Sequence, residues 1–142
     1  LENVRAFLAL ESFAAMQAYL EEEPDYGADA YGFSKQCLIV YTMSMAGNLA
    51  KREVRINCIA PAPTASAFMD KLTTDGGIPE EAVMLFAPSN GRFAEPREMG
   101  EPLVLLNSKL ANFISGQNIQ IDMGYSAEVF MGQKDNMLGY DV

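Results

Sequence analysis

An α/β fold is predicted by three observations in this 142-residue sequence. A long apolar helical run from Tyr31 to about Lys51 passes directly into "EVRINCIAP", a short continuous β-rich run that prolines 61 and 63 end. A second strand, alternating around Ile119 and Ile121, follows a turn at Ser115 and Gly116. Helix joined tightly to strand is the signature of a layered α/β domain, and the continuous apolar run suits a parallel strand buried on both faces.

Taken in order, residues 2 to 20 place Val4, Phe7, Leu8, Leu10, Phe13, Ala14, Met16 and Leu20 at loosely helical spacing, and "EEEP" closes the pattern. One or two short helices are expected there, with Glu21 to Glu23 as a solvated helix end. From Tyr31 onward Phe33, Leu38, Ile39, Val40, Tyr41, Met43, Met45, Ala46 and Leu49 make the helix apolar on nearly all sides. Such a helix packs on a sheet on one side and on another helix or a subunit on the other. Residues 64 to 94 change character, with a Gly-Gly break, prolines and two short amphipathic pieces rich in Met and Phe. They read equally as a mobile flap over an apolar ligand or as a covering helical hairpin. "AEPREMGEPLVLLNS" is a helix with Pro96 in its first turn, where the missing N–H costs nothing, and Pro102 is expected to kink it. No internal repeat or linker divides the chain.

Composition narrows the chemistry. Acids outnumber bases 19 to 10, for a net charge of -9, and nucleic acid is excluded as a partner because a phosphate backbone requires a clustered cationic surface. The sequence has no histidine, which removes Ser-His-Asp and Cys-His mechanisms and any histidine-based metal site, so no metal is assigned. Cys37 and Cys58 both sit among apolar residues and read as core fillers. No apolar segment approaches the roughly 20 residues that span a bilayer, and the first residues lack the layout of a signal peptide, so a cytoplasmic protein is expected.

The residues with chemical potential are Tyr31 and Lys35. Four apart on a helix, they share a face and can point into one cleft. A phenol is a weak acid with a reference value near about 10, and a neighbouring ammonium stabilises its anion, so such a pair can pass a proton to or from a carbonyl oxygen. The spacing by itself is also that of two surface residues at the start of a buried helix.

Their surroundings are more specific. "YGFSK" before an apolar helix, then "VRINCIAPAPTAS", then "NFISGQNIQIDMGYSA" resemble, in order and separation, motifs of the short-chain dehydrogenase/reductase family: Tyr-x-x-x-Lys, Asn-x-x-x-Pro-Gly and Thr-Gly-Gln...Asp-Gly-Gly. The resemblance runs from about residue 25 to the end. "NVRAFLALESFAAMQAYLEEEP" resembles the insertion of family members similar to bacterial 3α-hydroxysteroid dehydrogenase/carbonyl reductases.

The resemblance implies the C-terminal part of a Rossmann-like, doubly wound parallel sheet, with the N-terminal strands and glycine-rich loop absent. Residues 1–142 are then one portion of a single NAD(P)-binding domain, with an insertion at 1–24 and a substrate flap at 64–94. It implies Tyr31 as general acid/base and Lys35 as the group that supports its ionisation and holds the nicotinamide ribose. Pro61, Ala62, Thr64 and Ser66 form the turn beside the nicotinamide of NAD or NADP, and Ser66 takes the place of the family's threonine. The implied reaction interconverts a secondary alcohol and a ketone, on an apolar compound such as a hydroxysteroid, in a homo-oligomer built through the helix after Tyr31.

Three departures accompany the matches. Ala62 stands where the family has glycine, so its Cβ is expected to crowd a backbone that must approach the cofactor or adopt a glycine-like conformation, and Met123 replaces the first glycine of Asp-Gly-Gly. No glycine-rich phosphate turn occurs in the sequence. The catalytic serine and its companion asparagine are expected upstream of Leu1, Ser12 not being promoted to that role. The chain alone is accordingly expected to be marginally stable and inactive. The competing expectation is a truncated, non-catalytic relative that serves as a structural or subunit-interaction module.

Overall fold

The computed structural model describes residues 1–23, 26 and 29–136. They divide into two compact units, Leu1–Cys58 with Ile114–Asn118, and Ile59–Phe113 with Ile119–Val142.

The first unit begins with α1 (Glu2–Leu8) and α2 (Phe13–Glu22), the two short helices expected. The Ser12 hydroxyl caps α2 by accepting from the N–H of Ala15 at 3.1 Å, which satisfies one of the orphan donors of a helix start. Pro24, read above as part of the helix stop, lies outside the described residues. The long helix α3 (Ala30–Ala50) starts at Asp29, whose carboxylate accepts from Gly32 N–H at 3.0 Å. Val4, Phe33 and Cys37 form the core between α1 and α3, with Phe7, Leu8, Leu20, Tyr26 and Val40 packed around them. Glu53 closes the helix in the left-handed conformation at φ 58°, and Val54 N–H returns to the carbonyl of Leu49.

The all-round burial expected for α3 is not observed within the chain. Gly32, Phe33, Cys37 and Thr42 are buried, while Leu38, Tyr41 and Met43 are 54%, 46% and 51% exposed. Periodicity reports how apolar a face is and carries no information on whether this chain covers it.

Strands β1 (Asn57–Pro61) and β2 (Gln117–Ile121) form a two-stranded parallel sheet. Gly116 N–H donates to Ile56 O at one end and Ala62 N–H to Ile121 O at the other. Asn57 locks the register in the first unit: its amide donates to Ile114 O at 2.9 Å and its carbonyl accepts from Gln117 N–H at 3.1 Å.

In the second unit the segment 64–94 is an excursion closed at its base. A parallel bridge joins Thr64 to Ala94, with Ala65 N–H on Ala94 O and Ala94 N–H on Pro63 O, both at 2.8 Å. The excursion holds α4 (Ala67–Thr74), the break at Gly76 and Gly77, and α5 (Glu80–Met84). Val83 and Ala87 are buried, whereas Phe68, Ile78 and Leu85 are exposed. Helix α6 (Pro96–Asn107) opens with a capping box in which Glu95 and Glu98 each serve the other's backbone N–H. It continues through Pro102 to Asn107 and packs on a 3₁₀ turn at Lys109–Ala111. A last helix, α7 (Tyr125–Phe130), follows β2 and was not anticipated.

Candidate active site

Tyr31 is the second residue of α3 and Lys35 follows one turn later, so both lie on one stripe of the helix. The Tyr31 side chain is open to solvent, at 68% exposure, and the Lys35 ammonium lies 5.0 Å from the centroid of its ring. No hydrogen bond within the described residues engages the Tyr31 hydroxyl or the Lys35 ammonium; Ser34 Oγ donates to the Tyr31 carbonyl. The pair expected to act together is therefore brought together, with an O–H and an N–H donor set available to other molecules.

Pro61, Ala62, Thr64 and Ser66 fall in the second unit, where β1 gives way to the excursion. Ala62 is buried and keeps an ordinary negative φ, so a glycine-like backbone is not adopted there. The bridge to Ala94 uses the carbonyl of Pro63 and the N–H of Ala65. The peptide groups of Thr64 thus face the other way, and its N–H has no partner among the described residues. Its hydroxyl donates to Ala62 O at 2.8 Å. The Ser66 hydroxyl caps α4, accepting from Met69 N–H at 3.3 Å, and keeps its own proton to donate.

Met123 does hold the conformation for which glycine is suited, with φ 51° and 75% of its surface exposed. Beside it the carboxylate of the buried Asp122 accepts from Gly124 N–H at 3.0 Å and from Ser126 N–H at 2.8 Å, which starts α7. The signal for this helix was present as an Asp followed by a Gly turn and Ser126.

The sequence reading also missed the charge pair that braces the base of the excursion. Arg92 forms a bidentate contact with Glu98, at 2.8 Å and 2.7 Å. Hydrogen bonds from Arg92 and then from Glu95 N–H hold the Glu98 carboxyl down to about 2. Glu-x-x-Glu around an N-terminal proline was the readable part of this motif. A shallow cleft of about 100 Å³ lies against Ala62, Arg92, Glu98, Ile121 and Met123. It is well below the roughly 300 Å³ at which pockets for organic ligands begin.

The two thiols are free; burial pushes that of Cys37 up, away from thiolate reactivity, in keeping with a core filler.

Comparison with known proteins identifies the family. The family model described as enoyl-(acyl carrier protein) reductase matches residues 6–126. The 3-alpha-hydroxysteroid dehydrogenase/carbonyl reductase of Comamonas testosteroni is 34% identical over 123 residues, covering 84% of this chain and 48% of that protein. Among solved structures, ElxO with NADP bound is 25% identical with a TM-score of 0.58, over 68% of this chain and 39% of that one. 4-Hydroxyisoleucine dehydrogenase complexed with NADH is 29% identical with a TM-score of 0.58, over 70% of this chain and 40% of that one. The chain spans about half the length, or somewhat less, of the curated relatives it matches. Its α/β fold is the Rossmann-like fold of these neighbours, and the chain belongs to the short-chain dehydrogenase/reductase family.

Proposed function

We propose that this chain carries the acid/base pair and part of the nicotinamide site of an NAD(P)-dependent oxidoreductase that interconverts a secondary alcohol and a ketone. The observation that carries the proposal is the open stripe of α3, on which the Tyr31 ring and the Lys35 ammonium lie together with their polar atoms unengaged. Names of the relatives, which include dehydrogenases and reductases, and the NADP and NADH held by two structural neighbours support it.

Each unit, taken by itself, offers donors of the kind the cofactor would need. Lys35 offers three N–H donors for ribose hydroxyls, the N–H of Thr64 has no partner within the described residues and suits the carboxamide, and Ser66 retains a hydroxyl proton. Pro61 and Ala62 shape the turn that presents Thr64. The bound nicotinamide supplies or accepts hydride at the substrate carbon. In reduction Tyr31 gives its phenolic proton to the carbonyl oxygen; in oxidation its oxygen takes the proton of the alcohol. Phe68, Ile78 and Leu85, exposed on the 64–94 flap, favour an apolar substrate such as a hydroxysteroid.

A homo-oligomer formed through α3 goes with this reading, because Leu38 and Tyr41, three apart on the helix, leave an apolar face uncovered. The same face favours the alternative, a non-catalytic subunit-interaction module. Among the described residues no helix is long and apolar enough to cross a membrane, and a cytoplasmic location is proposed.

The deciding experiment titrates the 142-residue chain, and the chain extended upstream of Leu1 if the reading frame continues there, with NADH and NADPH by calorimetry, then assays apolar secondary alcohols. Binding with turnover by the extended form, and loss of turnover by about 10²-fold or more in Tyr31→Phe with cofactor binding kept, is the expected result. Absence of binding by both forms would leave the interaction module as the better account.

A further inference from the structure

Tyr31 stands where a helix is least constrained. The N–H groups of the first turn have no intrahelical acceptors, and ends of helices fray. Asp29 secures one of these donors, its carboxylate accepting from Gly32 N–H, and its carbonyl accepts the first regular bond of the helix from Phe33 N–H, both at 3.0 Å. This cap fixes the backbone but not the rotation of the turn about its axis.

That rotation is held from the opposite side by aromatic rings. At 3.6 residues per turn, positions two apart project roughly 200° from each other, so α3 carries two separate stripes. Tyr31 and Lys35 make the open one, while Phe33 and Cys37 make the buried one, at 6% and 9% exposure. The Phe33 ring is held by Phe7 of α1 in an edge-on contact at 5.2 Å and by Tyr26 stacked at 4.7 Å. Val4 fills the remaining side. Tyr26 is itself tied down: its hydroxyl is hydrogen-bonded by the Asn3 amide, and its ring stacks on Tyr19 at 6.4 Å. Tyr19 in turn donates to the carbonyl of Asn3 at 3.2 Å and meets Phe7 at 5.7 Å. Edge-on and stacked pairs are directional, so a ring held by both resists turning as an aliphatic side chain would not.

We infer that Phe7, Tyr26 and Phe33 are positioning residues, an aromatic clamp by which α1 sets the rotation of the first turn of α3 and so aims Tyr31. A proton donor must sit within hydrogen-bond reach of the oxygen it serves, and a misplacement of about 1 Å costs on the order of 10²-fold in rate. The clamp gives the segment ahead of α3 a role in the chemistry without any contact with substrate. The inference rests on the proposed acid/base role of Tyr31 for its meaning, but its structural part is testable without turnover.

The test uses Phe7→Leu, which keeps apolar volume and removes the ring, with Phe7→Tyr as the variant that retains it. In the 142-residue chain, amide hydrogen exchange is followed at Gly32 and Phe33, with Gln117, bonded to Asn57, as the internal control. Exchange about tenfold faster at Gly32 and Phe33 in Phe7→Leu, unchanged at Gln117 and restored in Phe7→Tyr, is expected. In whichever form of the protein turns over alcohol, kcat falls by roughly 10- to 100-fold with KM within about twofold, and Phe7→Tyr recovers it. Unchanged exchange at Gly32 and Phe33 overturns the clamp, as does a parallel rise at Gln117, which marks ordinary loss of core. If the unaltered protein turns nothing over while the exchange result holds, the proposed reaction fails and the clamp stands. Normal kcat in Phe7→Leu alongside an active unaltered protein removes the positioning role.

Discussion

Met123 offers the most direct measurement of backbone strain in this fold. Its φ of 51° lies in the left-handed region, where an L side chain costs roughly 1–2 kcal/mol and glycine costs none. Because the side chain is 75% exposed, truncating it gives up only about a quarter of the roughly 1.5–3 kcal/mol that full burial of a methionine is worth, or about 0.5 kcal/mol. Alanine at this position loses that contact and keeps the strain; glycine loses the contact and the strain together, against about 0.5–1 kcal/mol of added unfolded-state entropy. Met123→Ala should therefore be about 0.5 kcal/mol less stable than the parent, and Met123→Gly about 0.5–1 kcal/mol more stable than Met123→Ala. Urea unfolding followed by far-UV circular dichroism reads the difference as a midpoint gap of roughly 0.5 M. A glycine variant equal to or less stable than the alanine variant would refute the reasoning, since no strain would then exist to release. Asp122 reinforces the choice of site, as its hydrogen bonds to Gly124 and Ser126 hold the turn in place whichever residue occupies 123.

Further expectations follow from other positions. Gly47 lies exposed in the last turn of α3 with no atom within 4 Å of a built Cβ, so Gly47→Ala should stabilise by up to about 0.5 kcal/mol in the same assay. Gly76→Ala should destabilise by about 1–3 kcal/mol, because its Cβ would meet the carbonyl oxygen of Leu72 at 2.6 Å and backbone would have to move. The Glu98 carboxyl is held down to about 2, well below its ordinary 4.5, so its contribution is complete above pH 4.5 and is lost as the pH falls toward 2. The stability gap between the parent and Glu98→Gln should narrow over that window, as urea midpoints at stepped pH would show. Asn57→Ala should cost about 1–2 kcal/mol through two lost cross-strand bonds, visible as faster exchange at Gln117 N–H.

Much of the architecture was legible because local rules and tertiary demands agree there. The capping oxygens of Ser12 and Asp29, the apolar periodicity of α3 and the proline that ends β1 all act within a few residues of themselves. The Tyr31 and Lys35 pairing was legible for the same reason, since four-residue spacing on a helix guarantees a shared face. The brace of Arg92 on Glu98 was not, because a bidentate contact depends on how a loop turns back on the helix that follows it. At Ala62 only the conformational half of the expectation meets an observation: the residue is buried without a left-handed backbone.

The sequence by itself determined the α/β class, the order of helices and strands as far as β2, the shared helix face of Tyr31 and Lys35 and the absence of histidine chemistry, because composition, periodicity and short spacings act locally. Only the tertiary structure decided that α3 leaves Leu38, Tyr41 and Met43 exposed and that the 64–94 excursion closes on itself through Thr64 and Ala94. It alone showed that Phe33 is gripped by rings from elsewhere in the chain. Each of these turns on which distant segments meet, and in one sequence no spacing rule encodes contacts between residues so far apart.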